Sequence, residues 1–565
     1  MVVETDVRMT LNYILDSSRA KFGDNPAIGM AMERALTYNE FHQNVMALAC
    51  RLQKEGVKKG DRLGILAENS HNWGTAYFAI VRLGAIAVPI LPDLPESDVH
   101  HILNEMEVKI LFTTTRLIDK IYELKKELVG PVITLDEQSA KQTVINVVGF
   151  GDFLSQAHDD LRAMAEAPDF PIVEENDIAS ILYTSGTSGY SKAVMLSHKN
   201  LTSNAYSSSR LMEIPVGSVF LSILPMSHTY EFTLGFVVPI LCGARVAYAG
   251  KTPTPAILQK LCKVEKPFAM FAVPLVLEKI YKKRVMPQIE KSKLLNIACK
   301  TKFGRKLVYK KIGQKLLEFF GGNLHFMGIG GAALNPEVED FLREADFPYL
   351  IGYGLTEASP LLAGGPFGDT TIAVGSTGKP LSGVEVRIVD PEPETGIGEI
   401  VAAGPNVMKG YYGDQESTDE VLSSDGWLAT GDLGFIDEEG NLHVRGRSKN
   451  VIVMANGENV YPEAIEHKIN CFPWVVESLV LENNGQLEAW VYPDYELIDE
   501  ETSGKARAER REYLETRLDE MRDQLNTQLS SASRIARVFE RREPFIKTAT
   551  HKIKRYLYYE GGTLL

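Results

Sequence analysis

Apolar runs and amphipathic stretches alternate over the first 115 residues. Arg62–Ala67, Ala85–Ile90 and Val108–Phe112 are short apolar runs that predict strands. Trp73–Leu83 and Glu96–Glu105 carry helical spacing, the second beginning beside Pro95. Strand, helix, strand, helix, strand at this spacing predicts a parallel sheet with crossover helices. The alternation resumes near residue 172. Ile178–Tyr183 predicts a strand, Val219–Leu224 a strand ending at Pro225-Met-Ser-His228, and Phe232–Leu241 a helix that stops before Gly243. Ala244–Ala249 and Phe268–Val273 are further strands, the last stopping at Pro274. After Pro380 the texture changes to short strands, Val384–Val389, Gly398–Val401 and Asn441–Arg445, with Asp425-Gly426 and Glu439-Gly440 as turn signals. From about Gly446 a small α/β domain follows. It holds Val451–Met454, a helix over Pro462–Ile469, strands near Val475–Leu481 and Leu487–Val491, a charged helical stretch over Lys505–Leu529, and a basic tail, Lys547–Arg555.

Composition narrows the class. A chain of 565 residues is too long for one core, so two to four domains are expected. Hydrophobic content of 44% and charged content of 24% suit a soluble globular protein. The net charge of −14 argues against a general nucleic-acid binder. Five scattered cysteines with no CxxC pair suit a reducing cytosol. The start, Met1-Val-Val-Glu-Thr-Asp, carries an acid where a signal peptide carries base. The apolar stretch Val219–Gly243 includes His228, Glu231 and two prolines, which disfavours a membrane span. Tyr281–Lys315 reverses the charge balance, with twelve Lys or Arg residues and one acid, Glu290. It reads as a solvated helical pair with a basic face, or as a surface that meets an anionic membrane or ligand phosphates.

The candidate chemistry begins at Thr184-Ser-Gly-Thr-Ser-Gly-Tyr-Ser-Lys192, directly after a predicted strand. Two glycines, five Ser or Thr residues and a lysine can turn backbone N–H groups inward around an anion. The spacing disfavours the common P-loop and leaves a P-loop phosphotransferase as a weaker reading. That loop needs glycine before the lysine and four residues between its glycines, whereas here Ser191 precedes Lys192 and two residues separate Gly186 from Gly189. Gly352-Tyr-Gly-Leu-Thr-Glu357 offers glycines for close approach, Tyr353 for stacking, Thr356 for a phosphate oxygen and Glu357 for Mg²⁺. It also reads as a plain turn before a helix. Gly426-Trp-Leu-Ala-Thr-Gly-Asp432 ends in an acid that can accept from ribose hydroxyls or make a local turn bond. Gly446-Arg-Ser-Lys449 stands at the composition break, Asn456-Gly-Glu-Asn-Val-Tyr-Pro462 enters a helix, and Thr548-Ala-Thr-His-Lys-Ile-Lys-Arg555 closes the tail.

In this order and spacing the motifs resemble those of the adenylate-forming enzymes, which include acyl-CoA synthetases, luciferases and peptide-synthetase adenylation domains. The resemblance runs from about residue 30 to 556. Pro225-Met-Ser-His-Thr-Tyr-Glu231, Val273-Pro-Leu-Val-Leu-Glu-Lys-Ile-Tyr281 and the basic insert at about 281–320 are most similar to long-chain fatty-acyl-CoA synthetases. The resemblance implies an α/β fold. A large amino-terminal adenylation domain, residues 1–446, would join parallel-rich βα subdomains to a small β-barrel-like part. A small mobile α/β domain, residues 447–565, would carry the late lysine. It implies ATP-dependent activation of a fatty acid to acyl-AMP, then thioester formation with CoA, releasing AMP and pyrophosphate.

By resemblance, Thr184, Ser185, Gly186, Thr187, Ser188, Gly189 and Lys192 wrap the β- and γ-phosphates. Glu357 and Thr184 hold Mg²⁺, Thr356 binds the α-phosphate, and Tyr353 with Gly354 meets adenine near Gly331, Ala332 and Ala333. Asp432 and Arg447 hold the ribose, and His228 borders the acyl pocket. Lys552 bridges carboxylate and α-phosphate, Lys449 is the hinge, and Gly457 reaches the pantetheine channel. Two motifs depart from the family pattern. Ser191 and Ala193 flank Lys192 where Pro and Gly are usual, and His551 precedes Lys552 where Gly is usual. The implied partners are fatty acid, ATP and CoA, with peripheral contact to the inner face of an anionic membrane, a homodimer as a compatible assembly, and a cytoplasmic location. Two alternatives stay open: an acyl-AMP ligase loading an acyl-carrier protein, and a non-catalytic acyl- or nucleotide-binding relative.

Overall fold

A computed structural model describes residues 7–124, 130–136, 147–184, 191–454, 458–548 and 552–558. The fold is mixed α/β. The first sheet runs Val147–Gly149, Val132–Thr134, Ile110–Thr113, Arg62–Leu66, Ile86–Ile90, Ile178–Tyr183, Ala193–Ser197. Every neighbouring pair is parallel except the last, an antiparallel hairpin. The second sheet runs Leu361–Gly364, Tyr349–Gly354, Phe326–Ile329, Ala269–Ala272, Val219–Ser222, Arg245–Tyr248, Pro26–Met30, Leu36–Thr37. Its six central strands are parallel and its two edges antiparallel.

Helices fill the space between these layers. In His71–Arg82 every residue from Trp73 to Val81 is buried, so the helix has no solvent face. Ser70 starts it by accepting from the Trp73 N–H. Trp73, Tyr77 and Phe78 pack with Ile65 and Phe112 of the first sheet and with Phe236 and Val246 beside the second, in one continuous core. The predicted helix over Phe232–Leu241 begins earlier, with a wide-turned segment Tyr230–Val237 running into Val238–Leu241.

Glu385–Val389, Gly398–Ala403, Leu428–Ile436 and Leu442–Arg447 form a separate antiparallel sheet. Beyond it, Val475–Asn483, Gln486–Pro493 and Ile535–Glu540 form a three-stranded sheet covered by helices Pro462–Ile469 and Arg507–Asn526. Ile465, Ile469, Val480, Leu514, Leu518 and Met521 belong to its own core, separate from the others. The basic insert is not a helical pair. Ser292 and Thr301 act as caps and divide it into Tyr281–Val285, Met286–Glu290, Lys293–Cys299 and Lys302–Phe319. Among the described residues no helix is long and apolar enough to cross a membrane, and all five cysteines are unpaired.

Candidate active site

The carboxyl ends of parallel strands collect the motifs, as open α/β sheets generally do with ligand sites. Ile178–Tyr183 delivers Thr184, Val219–Ser222 leads to His228, Phe326–Ile329 to Gly331, and Tyr349–Gly354 to Thr356 and Glu357. The tip of the first loop, Ser185–Gly189, lies outside the described residues, as does Gly457. Its neck is described. The Thr184 N–H donates to the Lys192 carbonyl at 2.9 Å, and Tyr183 pairs with Ala193, so Thr184 and Lys192 face each other across the hairpin.

The strand bearing Lys192 is pinned from far along the chain. The Met195 N–H donates to the Gly410 carbonyl at 3.0 Å, and the carbonyls of Met195 and Ala193 accept from the Lys409 and Tyr412 N–H groups at 2.9 and 2.8 Å. This sets the Tyr411 ring beneath the Lys192 ammonium, 4.6 Å from nitrogen to ring centre. The Tyr411 hydroxyl donates to Glu357 Oε1 at 3.0 Å. Burial, then the Glu357 charge, raises the Tyr411 phenol, so it stays a proton donor. Tyr411 therefore ties the lysine of the first motif to the carboxylate of the second. Sequence reading missed it; the one signal was an aromatic pair between glycines, Gly410-Tyr-Tyr-Gly413.

Asp432 and Arg447 oppose each other on adjacent strands. Arg447 Nε lies 2.8 Å from Asp432 Oδ1, and the Tyr353 hydroxyl donates to Asp432 Oδ2 at 2.7 Å. Burial and the Asp432 charge push the Tyr353 phenol well above its ordinary range. Each Asp432 oxygen keeps a further lone pair for a diol. Gly354 has a packing reason of its own, because a Cβ there would sit 2.1 Å from the Pro360 carbonyl oxygen. Gly331 is left-handed at φ 86°, and Ala332 and Ala333 beside it are exposed. Thr356 lies in the short turn Thr356–Ala358 and is partly buried.

Lys552 reaches the same cleft from the carboxyl-terminal region. Thr548 fixes its backbone: the Thr548 N–H donates to Lys552 O at 2.8 Å, and Thr548 Oγ1 accepts from the Lys552 N–H at 3.2 Å. The residue keeps solvent access but is crowded by protein. That crowding and the Arg447 guanidinium lower its ammonium, against the pull of Asp432 and Glu357. His228 stands nearby. Burial, then the Lys552 charge, lowers its ring to about 4. Its Nδ1 accepts from the Tyr230 N–H at 3.3 Å, which leaves the ring proton on Nε2. Two residues on, Tyr230 lines an apolar cavity with Phe220, Phe271, Phe326, Ile329 and Gly352. Lys449 is exposed in the turn Ser448–Asn450, between Arg447 and the first buried residue of the carboxyl-terminal core, Ile452.

For Mg²⁺, the fit is that of a cation held by one carboxylate together with phosphate oxygens and water. Glu357 uses one oxygen on Tyr411. Among the described residues no cluster of His, Cys, Asp and Glu of metal-binding size occurs.

Residues 15–412 match the AMP-binding enzyme family. Long chain acyl-CoA synthetase 7, peroxisomal, of Arabidopsis thaliana is 32% identical over 472 residues, 76% of this chain and 64% of that protein. The chain thus spans less than two thirds of this plant relative. The long-chain-fatty-acid–CoA ligase FadD15 of Mycobacterium bovis is 30% identical over 479 residues, 79% of this chain and 75% of that protein. Among solved structures, ATP-bound MatB from Rhodopseudomonas palustris has a TM-score of 0.75 at 24% identity, covering 98% of this chain and 99% of that one. The last likeness is one of fold. Together with the family match, these findings establish that the chain belongs to the AMP-binding enzyme family.

Proposed function

We propose that the chain activates a fatty acid with ATP to acyl-AMP and then forms the CoA thioester, releasing pyrophosphate and AMP. One observation carries this reading: Lys192, Glu357, Asp432, Arg447 and Lys552, drawn from segments far apart in the chain, meet in one cleft beside an apolar cavity. In the first half-reaction a carboxylate oxygen bonds to the α-phosphorus and the bond to the β-phosphate oxygen breaks. In the second, the deprotonated thiol attacks the acyl carbon and AMP leaves.

The main obstacle is charge. A carboxylate about 4 Å from one phosphate charge is opposed by roughly 4 kcal/mol at an effective dielectric near 20. That is about three powers of ten in rate. Cations placed in advance answer it without any proton transfer, since the nucleophile is already ionised. Lys192 takes the β- and γ-phosphates, Lys552 spans carboxylate and α-phosphate, and Asp432 with Arg447 takes the ribose. Tyr353 meets the adenine and holds Asp432 in place. Mg²⁺ held by Glu357 and Thr184 would neutralise phosphate charge. His228, neutral across the physiological range, borders the acyl carboxyl at the cavity mouth without adding a fixed charge.

The division at residues 446 and 447, with Lys449 as hinge, lets the small domain withdraw Lys552 after adenylation and bring the loop at Gly457 to CoA. Leu294, Ile297, Phe303 and Leu307 of the basic insert are 81%, 64%, 76% and 55% exposed. Lys291, Lys293, Lys300, Lys302 and Lys306 surround them in sequence. Apolar side chains ringed by lysines suit peripheral contact with an anionic lipid surface. Co-sedimentation with vesicles should therefore require anionic lipid and weaken in Leu294→Asp/Phe303→Asp. Equal binding to neutral vesicles would remove this part of the reading. For the activity, pyrophosphate exchange should appear with long acids in a series from acetate to oleate, followed by acyl transfer to CoA. Exchange without CoA transfer, but with loading of acyl-carrier protein, would favour that acceptor. No exchange with any acid would leave the non-catalytic binder.

A further inference from the structure

The basic insert and the carboxyl-terminal domain meet at a place outside the cleft. Helix Pro462–Ile469 runs out into the segment Asn470–Val475, whose carbonyls no longer have partners inside the helix. Lys282, on the turn Tyr281–Val285 of the basic insert, donates its ammonium to three of them. These are the carbonyls of Asn470, of Phe472 at 3.3 Å and of Val475 at 3.4 Å. A cation at a helix carboxyl end is also where the helix dipole favours one. Beside it, Asn335 Nδ2 donates to Cys471 Sγ at 2.7 Å, and Lys283 Nζ lies 3.6 Å from Asp494. Burial lowers the Lys282 ammonium, while Glu278, Glu337 and Asp494 support its charge.

None of these groups belongs to the nucleotide motifs. Yet the contact exists in the same domain orientation that sets Lys552 near Arg447, Asp432 and Glu357. The segment whose carbonyls Lys282 grips carries Trp474 and Val475, which are buried in the carboxyl-terminal core. A pull on this segment is therefore a pull on the domain that carries Lys552. We propose that Lys282 is a positioning residue that holds the carboxyl-terminal domain in the orientation delivering Lys552 to the cleft. The inference rests on the two-step reading above. A domain that must withdraw Lys552 before thioester formation must first release three hydrogen bonds at Lys282. This contact therefore sets the balance between the two half-reactions.

Lys282→Met keeps the aliphatic stem and removes the donors; Lys282→Arg restores a cation. Losing a charge-assisted hydrogen bond of this kind shifts a two-state balance about ten- to a hundredfold. In Lys282→Met, oleate-dependent pyrophosphate exchange should fall about tenfold or more. Single-turnover transfer from preformed oleoyl-AMP to CoA should be unchanged or faster, and Lys282→Arg should recover most of the exchange. Without any ligand, Lys552 should become more reactive toward an amine-acylating reagent, and amide hydrogen exchange over 470–476 should rise. A substitution that only weakens the fold would depress both half-reactions together, and that result would overturn the proposal. Unchanged exchange with unchanged Lys552 labelling would overturn it as well. If the unaltered chain shows no exchange with any acid, the proposed activity fails, and the ligand-free labelling of Lys552 still decides the positioning role.

Discussion

Lys552→Ala removes one ammonium and little else. The hairpin around it is held by backbone bonds to Thr548 that alanine keeps. Asp432, which supports the Lys552 charge, stays matched by Arg447 at 2.8 Å. Stability should therefore change by no more than about 0.5 kcal/mol, the range for a substitution that touches no buried network. The loss falls on the reaction. If Lys552 offsets one carboxylate–phosphate repulsion of roughly 4 kcal/mol, its removal should slow acyl-AMP formation about a thousandfold. Pyrophosphate exchange measures that step. Transfer from preformed acyl-AMP to CoA, measured on the same variant, should stay within a few-fold of the unaltered chain. Equal loss of both steps, or an exchange rate reduced less than about tenfold, would refute the role.

Three further outcomes are expected. Tyr411→Phe keeps the ring under Lys192 and removes the donor to Glu357; steady-state exchange should fall about tenfold, as for one hydrogen bond to a charged group, and an unchanged rate would make the link incidental. Lys449→Pro fixes a backbone angle at the junction, so exchange should persist while thioester formation is lost, and intact thioester formation would remove the hinge. His198 is fully buried, its Nδ1 accepting from the Leu11 N–H, and burial lowers it to about 4. The unfolded chain takes up this proton below about pH 6.5 and the folded chain does not. The stabilisation is thus complete above that pH and shrinks on acidification, by about 2 kcal/mol at pH 5. Urea unfolding at pH 7 and 5 should show this contribution, and His198→Gln should reduce the pH dependence by that amount.

Much of this was legible along the chain because it is local. Arg62–Leu66, Ile86–Ile90 and Pro462–Ile469 fall within a residue of their predicted limits, since apolar runs bounded by turn residues define them. The motifs sit at strand ends, so their order exposed the site. What stayed hidden depends on distant partners. Tyr411 gains its place from pairing with the strand that bears Lys192, over two hundred residues away. Lys282 looked like one more lysine in a basic run until the end of Pro462–Ile469 was set against it. That Leu294, Ile297, Phe303 and Leu307 stand exposed in the basic insert depends on how its helices pack, which the charge pattern does not show. Asp432 invited a local turn bond, but its partners Tyr353 and Arg447 come from other strands.

The most direct test follows the oxygen atoms. Oleate carrying ¹⁸O in both carboxylate positions is incubated with ATP, Mg²⁺, CoA and the chain, and the nucleotide products are weighed by mass spectrometry. An acyl-adenylate route must leave one ¹⁸O in AMP and one in the thioester, with none in pyrophosphate. Unlabelled AMP, or ADP with the label in inorganic phosphate, would contradict the account.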